Sequence, residues 1–436
     1  MITSEDLRIH TLGEPRFDSP FAQFLAERAK GRGDHQFRHM LFHDTLPVRD
    51  PSAEDSPAFE LAGAEGRIYF EPGKTTAGIV TCGGLCPGLN DVIRGLTMVL
   101  WHRYGVRDIL GFRYGYEGLA PSFGHEPIQL DPERVARIHE QGGSLLGSSR
   151  GPQDIGVMVD TLQSLNIDIL FCIGGDGTLR GALDISREAL RRNAPISVVG
   201  VPKTIDNDIK YVEQSFGLIT AASIAHEAVT SAHNEARGAR RGIGLVKLMG
   251  RHSGFISAGA AMASNDVNYV LVPEVDFPLE GEDGLLTHME KRLDERGHAV
   301  VVVAEGAGQK YCAVDGKDKS GNQKLGDVGV MLRDRIIDHF KSINNPISMK
   351  YIDPSYMIRG VPAEPVDSML CFRLAAYAVH AAMSGRTEMI IGKWHGRFCH
   401  LPIQLAVSER QCIDPHGEMW SAVLDSTGQP RWATSI

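Results

Sequence analysis

Cysteine is scarce: seven residues at irregular spacing in a chain of 436. That excludes a disulfide framework and fits reduced thiols in a cytosolic enzyme. Cys82 and Cys86 flank Gly-Gly-Leu. No second Cys or His pair stands at a zinc-like spacing, so buried free thiols are the first reading and a metal or redox pair the second. No apolar run is long enough to span a bilayer. Basic residues are in deficit, 45 against 54 acidic ones, for a net charge of −9. This argues against a general nucleic-acid or membrane surface. The N-terminus lacks a basic start followed by an apolar stretch, and the final Ala-Thr-Ser-Ile matches no peroxisomal address. A cytoplasmic protein is the expectation. No short-period repeat is visible. With 42% hydrophobic and 23% charged residues, the chain reads as a globular protein of two domains or one large discontinuous one.

What is present is a set of three loops, each just after a predicted strand. Cys82–Asn90 follows Ala77–Thr81, Gly174–Thr178 follows Ile167–Ile173, and Pro202–Asp208 follows Ile196–Val201. Strand, loop and helix alternate from residue 75 to about 210, the pattern of a parallel α/β sheet, and ligands of such sheets lie outside the carboxyl ends of the strands. A second unit of similar kind is expected at 215–340. It has a helix over 215–236 and strands at Gly244–Leu248, Tyr269–Val272 and Ala299–Val303. Residues 1–72 show little periodicity and read as an arm packed on the body or on a neighbouring subunit, with a short helix at Phe21–Lys30. Asp315–Asp327 reads as a polar surface loop. An alanine-rich helix is predicted over Pro365–Met383.

The chemistry of the loops follows from their residues. Gly83, Gly84 and Gly88 let backbone approach a phosphate; a tight turn is the plainer reading. Asp176, between Gly175 and Gly177 and before Thr178, suits Mg²⁺, which takes one or two carboxylates plus phosphate oxygens. A helix N-cap is the plainer reading, and the two roles are not exclusive. Asp206 and Asp208 are two apart and, in an extended segment, point the same way. Two like charges that close suit a general base, with Asp206 the candidate and Thr204 a hydrogen-bonding neighbour. Met249, Gly250 and Arg251 precede a helix of small residues and could hold a sugar phosphate, with His252 more structural in character. Glu305 ends a strand. Lys350, Tyr356 and Arg359 read as a cluster for a second phosphate.

Taken in order, Gly83-Gly-x-x-Pro-Gly-x-Asn90, Gly147-Ser-Ser-Arg150, Gly174–Thr178, Pro202–Asp208, Met249-Gly-Arg251 and Glu305 resemble the 6-phosphofructokinase family. The resemblance runs from about Ala77 to Gly392. It implies two Rossmann-like, three-layer α/β lobes with mainly parallel sheets, substrates in the cleft between them, and an N-terminal extension. The boundaries it implies are an extension over 1–74, a donor domain over 75–217 plus 358–407, and a sugar-phosphate domain over 218–357 plus 408–436. It implies transfer of phosphate from ATP to fructose 6-phosphate with Mg²⁺, in a homodimer or homotetramer. Asp206 then resembles the base for the sugar 1-hydroxyl, Asp176 the Mg²⁺ carboxylate and Arg150 a transition-state stabiliser. Asp208 and Thr204 join Asp206. Gly83, Gly84, Gly175, Gly177, Thr178 and Lys203 resemble donor contacts. Met249, Gly250, Arg251, Glu305, Lys350, Tyr356 and Arg359 resemble sugar-phosphate contacts.

Two departures from the short bacterial pattern stand out. Gly242, preceded by Arg240 and Arg241, occupies the place of an Arg that reaches a neighbouring subunit. Tyr356 and Lys350 replace a His and an Arg. Pyrophosphate users of the family carry Asp where Gly177 stands and Lys where Lys203 stands. Gly177 leaves room for ATP, whereas Lys203 suits either donor, so ATP is expected and pyrophosphate is the alternative. A non-catalytic regulatory subunit would be expected to lack Asp176 or Asp206. Lipid and NAD kinases would lack the Pro202–Asp208 loop.

Overall fold

The computed structural model describes residues 2–32, 39–41, 57–317 and 323–432. Parts of the N-terminal arm and the middle of the Asp315–Asp327 stretch lie outside them. Contacts divide the chain into two compact units. The first comprises Met1–Thr204, Ile209–Gly217 and Val361–Arg410, and the second Ile205–Asp208, Leu218–Gly360 and Gln411–Ile436.

The first unit is built on a seven-stranded sheet. Its order is Arg397–Pro402, Met389–Trp394, Ser197–Pro202, Ile169–Gly174, Thr76–Thr81, Asp108–Phe112 and Ile128–Gln129. The five central strands are parallel, and the strand at each edge is antiparallel to its neighbour. Every residue of Ile169–Gly174 and Ser197–Pro202 is buried. Strands covered on both faces carry unbroken apolar runs, which is why these two were legible. From Thr76–Thr81 the chain adds two strands on one side, and later strands extend the sheet on the other. The order therefore reverses between Thr76–Thr81 and Ile169–Gly174, and a ligand crevice opens at such a reversal. Helices Leu89–Tyr104 and Pro365–Met383 pack closely because Gly95 has no side chain: a Cβ there would lie 2.7 Å from that of Ala375.

The arm is anchored to this unit. Its short helix spans Ala22–Arg32. Phe17–Asp18 pairs with Arg67–Ile68, and Phe59 is fully buried. The half-buried Glu60 and Glu65 carboxylates both engage the Arg386 guanidinium.

The second unit holds a four-stranded, all-parallel sheet in the order Tyr269–Leu271, His298–Ala304, Gly242–Leu248 and Ser348–Ile352. Helix Leu218–Arg237 buries Ala225, Val229 and Ala232 against it. Leu248 and Ala304 are register partners at the carboxyl ends of adjacent strands, so the residues that follow them, Met249 and Glu305, leave the sheet side by side.

Candidate functional site

In the first unit, three loops bond to one another at the strand reversal. Thr81 Oγ1 donates to Gly147 O at 2.6 Å and Ser148 Oγ to Gly83 O at 2.6 Å. Gly83 N donates to Ser149 O at 3.0 Å. The exposed Arg150 closes this segment. Lys203 is only 6% exposed. Its ammonium donates to Gly84 O at 2.6 Å, and its backbone N to Gly174 O at 2.9 Å. A buried cation thus lies against the glycine loop. Thr204 O accepts from Ser215 Oγ at 2.5 Å.

The helix N-termini beside these loops lack side-chain caps. Helix Leu89–Tyr104 is capped by Gly88 in the left-handed region (φ 100°) and helix Asp176–Arg191 by Gly175, neither with a side-chain cap. At the first, Leu89 N donates to Cys86 O at 3.4 Å and the opening turn is buried; at the second, Gly177 on the opening turn is exposed. Asp176 is the first helical residue and not the N-cap, which leaves its carboxylate for other partners. Oδ2 lies 3.4 Å from Arg180 Nε and 3.8 Å from Arg410 Nη2. Thr178 is buried, and its carbonyl accepts from Tyr116 Oη at 2.6 Å. A Cβ at Gly177 would meet nothing within 4 Å.

Among the described residues no three His, Cys, Asp or Glu side chains stand together as a metal cage. A single carboxylate at a helix N-terminus suits an ion whose remaining ligands come from a phosphate and water. Burial pushes the Cys82 thiol up to about 12.

The second unit brings the other residues together. Glu305 N donates to Leu248 O at 2.9 Å, and Gly306 N to Gly250 O at 3.0 Å. Gly250 takes φ 128°. Arg251 donates from its guanidinium to Gln323 O and from its backbone N to Asp206 Oδ2 at 3.4 Å. Ser253 Oγ donates to Asp206 O at 2.6 Å. Burial raises the Glu305 carboxyl above its ordinary range, against the opposing pull of Arg251, Lys247 and Arg359. Asp208 is 8% exposed. Its carbonyl accepts from Gln411 N at 3.0 Å, and Asn207 O accepts from Gln411 Nε2 at 3.2 Å.

Several expectations are corrected here. The Asp206–Asp208 segment is not extended. Asn207 sits in the left-handed region at φ 57°, so strand alternation does not set where the two carboxylates point. Asn tolerates that conformation better than most residues, and this turn was hidden in the pattern. Lys350 pairs with Glu235 of helix Leu218–Arg237 at 3.4 Å. Arg359 instead stacks its guanidinium 4.7 Å over the Tyr356 ring, which is 80% exposed. Arg241, just before Gly242, pairs with Asp294 at 2.6 Å within its own unit.

Lys247 was overlooked. It bonds Asp353 at 2.8 Å and Asp327 at 3.3 Å. These partners hold its ammonium above the ordinary lysine range despite burial. A lone charge inside the run Gly-Ile-Gly-Leu-Val-Lys-Leu was the available signal. A cavity of about 830 Å³ lined by residues such as His288, Tyr311 and Trp432 involves none of the site loops.

The profile of the family described as "Phosphofructokinase" matches residues 76–382. The ATP-dependent 6-phosphofructokinase of Amycolatopsis methanolica is 47% identical, over 98% of this chain and 95% of that one. The enzyme of the same name from Trypanosoma brucei brucei is 44% identical, over 98% and 88%. Among solved structures, the pyrophosphate-dependent phosphofructokinase of Marinobacter aquaeolei aligns with a TM-score of 0.66 at 18% identity, over 83% of this chain and 93% of that one. At that identity the likeness concerns the fold alone.

Proposed function

The chain belongs to the phosphofructokinase family, and on that premise we propose that it phosphorylates fructose 6-phosphate at the 1-hydroxyl with ATP, yielding fructose 1,6-bisphosphate and ADP. The observation that carries the choice of donor is the space at Gly177 on the first turn of helix Asp176–Arg191. A side chain there would project from the opening turn of the helix. Glycine leaves that volume to the nucleotide phosphates.

The donor phosphates lie against Gly83, Gly84, Gly175, Gly177 and Thr178, with Lys203 behind them and Arg150 above the transferred group. Asp176 would hold Mg²⁺ together with phosphate oxygens. When bound, the ion would neutralise charge on the donor phosphates. Asp206 takes the proton from the sugar 1-hydroxyl. The freed oxygen attacks the γ-phosphorus, and the bond to the β-phosphate bridging oxygen breaks. The Arg251 N–H on Asp206 Oδ2 and the Ser253 hydroxyl on its carbonyl orient this base. Thr204 and Asp208 flank it. Met249, Gly250, Arg251 and Glu305 receive the sugar, and Arg359 with Tyr356 its 6-phosphate. Lys350, held by Glu235, serves this group only after leaving that pair. The working form is a cytoplasmic homodimer or homotetramer, with the first unit serving the donor and the second the sugar phosphate. No described helix is long and apolar enough to cross a membrane.

Pyrophosphate is the second reading, because Lys203 suits either donor. Purified protein with fructose 6-phosphate and Mg²⁺, supplied with either ATP or pyrophosphate, decides the matter. Turnover with ATP alone supports the proposal; turnover with pyrophosphate alone overturns it. Gly177→Asp sharpens the test. A like charge about 4 Å from a phosphate is worth up to ~4 kcal/mol at an effective dielectric of about 20. ATP use should therefore fall at least about tenfold, with the melting temperature unchanged.

A further inference from the structure

We propose that Glu274 is a positioning residue, which holds the Met249–Gly254 loop and the Gln411–Ile413 segment in the arrangement that orients Asp206. The inference rests on the reading of Asp206 as the base. Glu274 follows strand Tyr269–Leu271 and is 6% exposed. A carboxylate in so buried a place demands hydrogen bonds. Oε1 accepts two, from Gly254 N at 3.0 Å and from Ile413 N at 2.8 Å. One oxygen therefore bridges two segments that are far apart in sequence.

Both segments converge on the Asp206 turn. From the first, Arg251 N reaches Asp206 Oδ2 and Ser253 Oγ reaches Asp206 O. From the second, Gln411 N and Nε2 reach Asp208 O and Asn207 O. Cys412 Sγ also donates to His252 O at 3.3 Å, a second tie between the two segments. The turn with Asn207 at positive φ is thus held from both sides, and Glu274 joins the holders. Gly254 is part of the same device, since a Cβ there would lie 2.2 Å from Val272 Cγ1 and 3.2 Å from Glu274 Oε2. Burial raises the Glu274 carboxyl above its ordinary range. Its task here requires an acceptor oxygen and not a charge.

That distinction is the test. Glu274→Gln keeps an oxygen in the place of Oε1; Glu274→Leu removes it. Steady-state kinetics with fructose 6-phosphate and ATP should show kcat at least about tenfold lower in Glu274→Leu, in line with the cost of misplacing a catalytic group. The KM for ATP should stay within about twofold, because the partners of Glu274 all belong to the second unit. Glu274→Gln should recover kcat to within about threefold of wild type. Three results would each overturn the inference: unchanged kcat in Glu274→Leu, a glutamine variant as impaired as the leucine one, or a KM for ATP that worsens in step with kcat. Should Glu274→Leu not fold, Ser253→Ala removes one holder of Asp206 at small volume cost, and unchanged kcat there overturns the inference. Wild-type protein without turnover would instead sink the parent reading of the function.

Discussion

Glycines do different work in the two units. In the first, a Cβ at Gly177 would meet open space, and one at Gly83 would approach only the Lys203 ammonium, at 3.3 Å. In the second, a Cβ at Gly250 would lie 2.4 Å from Ser253 O, and one at Gly306 2.0 Å from Arg251 O. Absence of a side chain leaves room for a ligand in one case and lets backbone pack on backbone in the other. Gly174 is a reminder that the division is by position, since its Cβ would strike Thr178 at 2.2 Å. Glycine-rich loops of similar appearance in the sequence thus carry different physical demands.

The comparison also separates the expected roles, and four substitutions probe it. Asp206→Ser has the largest expected effect. It should lower kcat by roughly 10²- to 10⁴-fold with little change in either KM, the usual span for a general base; near-normal turnover would remove Asp206 from that role. Arg359→Ala should raise the KM for fructose 6-phosphate and leave that for ATP alone. A charge-assisted hydrogen bond contributes about 1.5–3 kcal/mol, so the rise should be roughly 10- to 150-fold; a KM that does not move excludes direct contact with the phosphate. The smallest effect is on stability. Gly306→Ala should cost about 1–3 kcal/mol by overpacking. Gly177→Ala should stay within about 0.5 kcal/mol of wild type. Denaturant titration measures both, and equal losses would erase the distinction between the two kinds of glycine.

The sheet interiors were open to reading from composition alone. Ile169–Gly174 and residues 198–202 and 299–304 are apolar and buried throughout because both faces are covered. Helix Pro365–Met383 emerged at its predicted bounds. The strands that escaped are the less regular ones. Asp108–Phe112 begins with a charge and holds a glycine. Met389–Trp394 and Arg397–Pro402 form a hairpin through His395 and Gly396, both at positive φ. A turn of that kind is usually announced by Asn-Gly or Asp-Gly, and His-Gly gave no such signal.

For the site, residue types and their order along the chain were enough to single out Asp176, Asp206, Arg251 and Glu305, since glycine and carboxylate directly after an apolar strand have few structural uses. Their mutual geometry was not. Asp176 proved to be the first residue of its helix and not its cap. Asn207 turned the Asp206 loop out of strand geometry, and Glu235 engaged Lys350. Lys247 and Glu274 acquire meaning only from partners 80 and 139 residues away along the chain, Asp327 and Ile413. Local sequence determines propensity, periodicity and the chemical groups on offer. Which buried charge meets which acceptor is decided by the packed fold, because desolvation leaves such a group no alternative partner in water.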